Sequence, residues 1–131
     1  MTPEDQKERA RDFMRALDKG DEAALAGLTA PDFRFELMTA APGFPSVLDR
    51  DGFLTNFPKV LKELLPNGMG FTFGTAFAEG SHVSMQGESN TITAGGKTYA
   101  NRYHWYFRFE GEKVAEFKEY MDSYQMLQAF A

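Results

Sequence analysis

Four stretches in the second half of the chain alternate apolar and polar residues, with tight glycine turns between them. Phe71, Phe73, Thr75 and Phe77 lead into "AEGSH", residues 82–93 into "AGGK", residues 97–110 into "EGEK", and residues 113–122 close the series. Successive side chains of a strand point to opposite faces, and Gly supplies the backbone angles that tight hairpins need. The second half therefore reads as an antiparallel meander.

The first half changes period. Residues 3–19 place Ala10, Phe13, Met14 and Leu17 at helical spacing, with Thr2-Pro3 and two acids suited to the start and Gly20 to the stop. "DEAALAGL" (21–28) reads as a short helix capped by Asp21, and "DFRFELM" as a half-buried strand with Phe33, Phe35 and Leu37 on one side. "TAAPGFPSVLDR" reads as a loop. A third helix is expected from about 50 to 65, capped by Asp49 and kinked or broken at Pro58. "SYQMLQAF" suits a short closing helix. Helices followed by a sheet make an α+β layout, and nothing divides the 131 residues into more than one domain. A helical layer on one face of a curved sheet leaves room for a pocket.

Charge and composition narrow the function. A net charge of −5 and a pI near 5.0 argue against nucleic acid or an anionic membrane as the main partner. With no cysteine there is neither a disulfide nor a thiolate metal site. "MTPEDQKERARDF" carries charges and no apolar core segment, so no signal peptide is expected. No apolar run approaches spanning length, and a soluble cytoplasmic protein is the expectation. His82 and His104 are far apart in sequence, and a surface or interface role is expected rather than metal ligation. "GMGFTFG" lacks the lysine and the strand–turn–helix setting of a phosphate loop. Ser81, Ser84 and Ser89 have no nucleophile-elbow motif.

One residue breaks the apolar pattern. In "EFKEYMDSY" the alternation puts Glu119 in a row with Ala115, Phe117 and Met121. A buried charge costs several kcal/mol unless it is paired or neutralised. Asp122 lies off that parity and suits a capping or turn role.

The segments "LDKGDEAALAGLTAPDF", "AEGSHVSMQGES" and above all "GKTYANRYHWYFRFEGEKVAEFKEYMD" resemble the NTF2-like superfamily: ketosteroid isomerases, SnoaL-like polyketide cyclases and limonene-1,2-epoxide hydrolases. The resemblance covers nearly the whole chain, residues 1–131, and is nearest to SnoaL-like, ketosteroid-isomerase-related proteins. It implies a cone in which N-terminal helices pack on a strongly curved antiparallel sheet enclosing a pocket. Fold alone does not decide activity.

The resemblance also implies site residues. The isomerase tyrosine, base and acid fall on Phe13, Leu37 and Trp105, so that machinery is missing. The two epoxide-hydrolase aspartates fall on Glu119 and Glu88, their bridging arginine on Gln86, and their water-holding Tyr and Asn on Phe35 and Leu37. The acid/base aspartate of the cyclases also falls on Glu119, with a nearby His at Phe107. The implied pocket wall is Phe13, Phe33, Phe35, Leu37, Gln86, Glu88, Asn101, Tyr103, Trp105, Phe107, Phe117 and Glu119. It uses odd positions in 97–110 and 113–122 and even positions in 82–90.

On this reading Glu119 and Glu88 share a proton and face a small hydrophobic ligand, with Asn101, Tyr103 and Gln86 orienting its polar end and no metal or organic cofactor. In the alternative, Glu119 accepts hydrogen bonds from Tyr103, Asn101 or the backbone and only fixes the strand register, while Glu88 sits at an open rim. The protein is then either a cofactor-free acid–base enzyme (isomerase, cyclase or hydrolase) or a non-catalytic binding or scaffold domain. The opposite sheet face, with Arg102, His104, Tyr106, Arg108, Glu116, Lys118 and Tyr120, is expected to form a homodimer.

Overall fold

The computed structural model describes residues 1–130. Helix α1 (Pro3–Lys19) begins at a capping box, in which Thr2 Oγ1 accepts the Asp5 N–H at 3.1 Å while Asp5 Oδ2 accepts that of Thr2 at 3.0 Å. It ends at Gly20, whose φ of 63° is cheap only for glycine. Its buried stripe is the one the spacing gives, Ala10, Phe13, Met14 and Leu17 among it. Helix α2 (Glu22–Leu28) is capped by Asp21, and α3 (Arg50–Leu64) by Asp49, which accepts the Gly52 N–H at 2.8 Å. The expected break at Pro58 does not occur. Proline's fixed φ is itself helical and only one helical hydrogen bond is lost, while Phe53, Leu54 and Pro58 are all buried.

Strands β1 (Thr29–Leu37), β2 (Val47–Asp49), β3 (Thr72–Glu79), β4 (His82–Ile92), β5 (Thr98–Glu110) and β6 (Lys113–Met121) form one sheet in the order β2-β1-β6-β5-β4-β3, and α4 (Ser123–Phe130) closes the chain. The meander β3–β6 is antiparallel throughout, as its turns require. The sheet as a whole is mixed, because β1 lies parallel to β6. The whole of α3 and the meander separates the two in the chain, so no hairpin imposes an antiparallel pairing. Strand β2 went unread in the sequence. It is three residues long, too short to alternate, and its structure comes from pairing with β1. Register shifts in β1, in β3 and at Arg108/Phe109 mark irregularities that bend and twist strands.

Helices α1 and α3 cover the inner face. Phe13 meets Phe117 at 5.1 Å and Phe53 at 6.0 Å, Phe107 stacks on Phe117 at 5.0 Å, and Phe35 on Phe117 at 5.4 Å. These rings are fully buried and fill their part of the helix–sheet interface with aromatic carbon.

Candidate functional site: an apolar cavity with one carboxyl group

Beyond that aromatic block the interface opens into a cavity of about 450 Å³, in the range of small-molecule sites. Its walls come from α3 (Phe57, Leu61), α4 (Met126, Phe130), Leu37 at the end of β1, and the inner face of β5 and β6. Three polar side chains on the sheet reach it: Tyr99, Tyr103 and Glu119.

Glu119 sits where the alternation placed it. On β6 it lies opposite Leu37 on one side and Trp105 on the other, and its own carbonyl accepts the Met38 N–H at 2.9 Å. The indole N–H of Trp105 donates to Oε1 at 3.1 Å. Among the described residues every fully buried side-chain oxygen or nitrogen has a hydrogen-bond partner, whereas Oε2 of Glu119 bonds to none, so Oε2 opens onto the cavity. Burial pushes the carboxyl up to about 7, and the indole bond opposes this only in part. Such a group exchanges a proton near neutral pH.

Glu88 and Gln86 are elsewhere, and both must be removed from the site. They are exposed on the outer face, opposite Arg102 and His104 of β5. Cross-strand partners share a face, so the inward position of Trp105 carries Met85 in with it and turns Gln86 and Glu88 out. The sheet lies between the two glutamates, and no proton is shared. Matching β4 to the epoxide hydrolases set its parity one residue wrong, and such a slip exchanges the faces of a strand. The plain alternation of Val83, Met85 and Ser89 against Ser84, Gln86, Glu88 and Asn90 gives the right answer. The gap in that row is Gly87, and a Cβ there would overlap the Trp105 ring.

Phe13, Phe35, Phe107 and Phe117 are likewise not cavity residues; they are the packed block described above, where ring against ring leaves no free volume. Trp105, beside Glu119 on the neighbouring strand, is fully buried and does not line the cavity. Asn101 is buried at the β5–β6 corner, where Oδ1 accepts the Asp122 N–H at 3.2 Å and Nδ2 donates to the Asp122 carbonyl at 3.1 Å. Leu37 and Tyr103 do line the cavity. Tyr99 does too, and the sequence reading missed it, although it shares the odd parity of Asn101, Tyr103 and Trp105. Burial raises the Tyr99 phenol and raises Tyr103 further, so both remain protonated donors.

Asp122 takes the capping position expected of it, accepting the Tyr124 N–H at 3.0 Å at the head of α4. The two histidines are exposed on the outer face: His82 Nδ1 lies 2.6 Å from Tyr106 Oη, and His104 pairs with Ser84.

The sequence profile of the SnoaL-like domain family matches residues 10–117. The chain belongs to that family. No curated protein matches it. Solved structures similar to this SnoaL-like domain include an NTF2-like protein of unknown function from Burkholderia pseudomallei (15% identity, 100% of this chain and 99% of that one, TM-score 0.85). A proposed SnoaL-like polyketide cyclase from Jannaschia is also similar (16%, 97% and 92%, 0.78). So is an epoxide hydrolase of the LEH-like type from M. tuberculosis (15%, 97% and 90%, 0.78). Identities this low establish the NTF2-like α+β fold of the SnoaL-like domain. No helix among the described residues is long and apolar enough to cross a membrane.

Proposed function

We propose that this SnoaL-like domain binds a small hydrophobic molecule and performs acid–base chemistry on it with Glu119 as the only proton-transfer group. The observation that carries the reading is the free Oε2 of a buried carboxyl, held near neutral pKa and aimed into a mostly apolar cavity. A group half ionised near pH 7 takes a proton from one atom and returns it to another without a second carboxylate. Isomerisation, cyclisation and hydrolysis all fit that requirement. Among the described residues no three His, Asp or Glu side chains converge as metal ligands.

The test is turnover of apolar substrates as a function of pH in wild type and Glu119→Gln. Activity changing with a midpoint near pH 7, and lost in a variant that still folds and binds, supports the reading. Turnover that survives the substitution refutes it.

The second reading, a binding domain without turnover, is favoured by the loss of Glu88 from the site, which leaves no fixed charge beside Glu119. Binding by wild type with no turnover of any apolar substrate would establish it. Homodimerisation is part of the proposal. The exposed Arg102, His104 and Tyr120 and the half-buried Tyr106 give the outer sheet face the mixed aromatic and charged character of an interface.

A further inference from the structure

The phenol at the cavity wall stands at the end of a directed chain of hydrogen bonds. The backbone N–H groups of Arg102 and Asp122 donate to Asn101 Oδ1 at 2.8 and 3.2 Å, which fixes the orientation of the amide. Asn101 Nδ2 is therefore the atom 3.0 Å from Tyr99 Oη, and it donates. From the other side, the Asn101 backbone N–H donates to Ser89 Oγ at 3.2 Å, Ser89 Oγ lies 2.9 Å from Tyr103 Oη, and Tyr103 Oη donates to Tyr99 Oη at 2.8 Å.

A hydroxyl has one proton and two lone pairs. Tyr103 gives its proton to Tyr99, so Ser89 must give its own to Tyr103. Tyr99 then receives two hydrogen bonds, and its own proton has no protein acceptor among the described residues. Each donation polarises the next hydroxyl and makes the last one a stronger donor.

We infer that Tyr99 is a ligand-binding donor, and that the cavity selects hydrophobic molecules carrying an acceptor oxygen, a ketone or similar carbonyl. The inference rests on the reading of the cavity as a ligand site. Tyr99 is buried, and most of the surrounding wall is hydrocarbon. A ligand without an acceptor leaves the phenol proton desolvated and unpaired, whereas a carbonyl takes it up. Sites built to hydrogen-bond a ligand reject analogues that lack the matching atom more strongly than apolar sites reject a change of size. Asn101 and Ser89 act through Tyr99 as positioning residues.

The experiment compares acetylnaphthalene with ethylnaphthalene, which differ by a carbonyl in place of a methylene, with binding followed by quenching of Trp105 emission. It is run at about pH 9, where Glu119 is ionised and cannot donate. The ketone-to-hydrocarbon affinity ratio is expected to fall about tenfold from wild type to Tyr99→Phe, in part because the hydrocarbon binds more tightly once no phenol proton is left unpaired. In wild type, the infrared carbonyl stretch of bound ketone is expected to lie below its position in alkane and to move back towards it in Ser89→Ala. That readout does not depend on the folding of Tyr99→Phe. A stretch at the alkane position in wild type, or an equal ratio in Tyr99→Phe, overturns the inference while leaving the cavity a binding site. If neither compound binds wild type, the ligand-site reading falls and the role of Tyr99 falls with it.

Discussion

Replacing Glu119 by Gln should stabilise the protein in alkaline solution and do little in acid. The Glu119 carboxyl is raised from an ordinary 4.5 to about 7 because burial disfavours its charged form. The folded state therefore holds the proton more tightly than the unfolded chain. Below about pH 4 both states are protonated and the group contributes nothing. As pH rises towards 7 the unfolded chain ionises freely while the folded one resists, so stability falls. Above about pH 8 the full difference applies, about 3 kcal/mol at roughly 1.4 kcal/mol per tenfold change in the proton equilibrium. Glutamine removes the charge, nearly keeps the volume, and offers a carbonyl to the Trp105 indole. Thermal or urea unfolding of both proteins at about pH 4 and pH 8.5 should show near-equal stabilities in acid and a gain for the variant in base. For a chain of this size the gain corresponds to roughly 10 °C in Tm. Taking the difference between variant and wild type cancels every other titrating group. A difference independent of pH, or a variant less stable in base, would mean that the carboxylate is solvated and that the cavity is not a low-dielectric environment.

Trp105 is the only tryptophan, and its N–H donates to the titrating carboxyl, so its emission should shift with a midpoint near pH 7 in wild type and stay flat in Glu119→Gln. Gly87→Ala should destabilise by about 1–3 kcal/mol and alter the Trp105 emission, since the added methyl overlaps the indole ring; an unchanged melting curve would show that the ring moves aside freely. Wild type should run as a dimer in light scattering at micromolar concentration, and Tyr106→Glu, on the proposed outer interface, should run as a monomer of unchanged circular dichroism.

The elements themselves were legible. Capping residues, glycine stops and the switch of period give α1, α2, α3, α4 and the meander close to their true limits, because these signals are local. What stayed hidden depends on partners distant in the chain. β2 exists only through β1, and the parallel β1–β6 pair leaves no mark in either segment. For the site, the position of Glu119 followed from alternation alone. The failure came at β4, where homology overrode the chain's own pattern and moved Glu88 through the sheet. The aromatic residues posed a different difficulty. Inward parity distinguishes inside from outside, but it does not separate a ring that packs against rings, such as Phe117, from a ring that borders empty space, such as Phe57.

The inner face of the sheet is filled at one end and hollow at the other, with Trp105 and Glu119 at the boundary. Folding free energy is thus concentrated where Phe13, Phe53, Phe107 and Phe117 interlock. Residues such as Val60, Leu64 and Phe44, partly exposed along the cavity, contribute little to it. Under the proposed ligand-binding function, preference can therefore drift through substitutions on α3 and the loop before it while the fold barely responds, which makes that stretch the natural place to reshape the cavity.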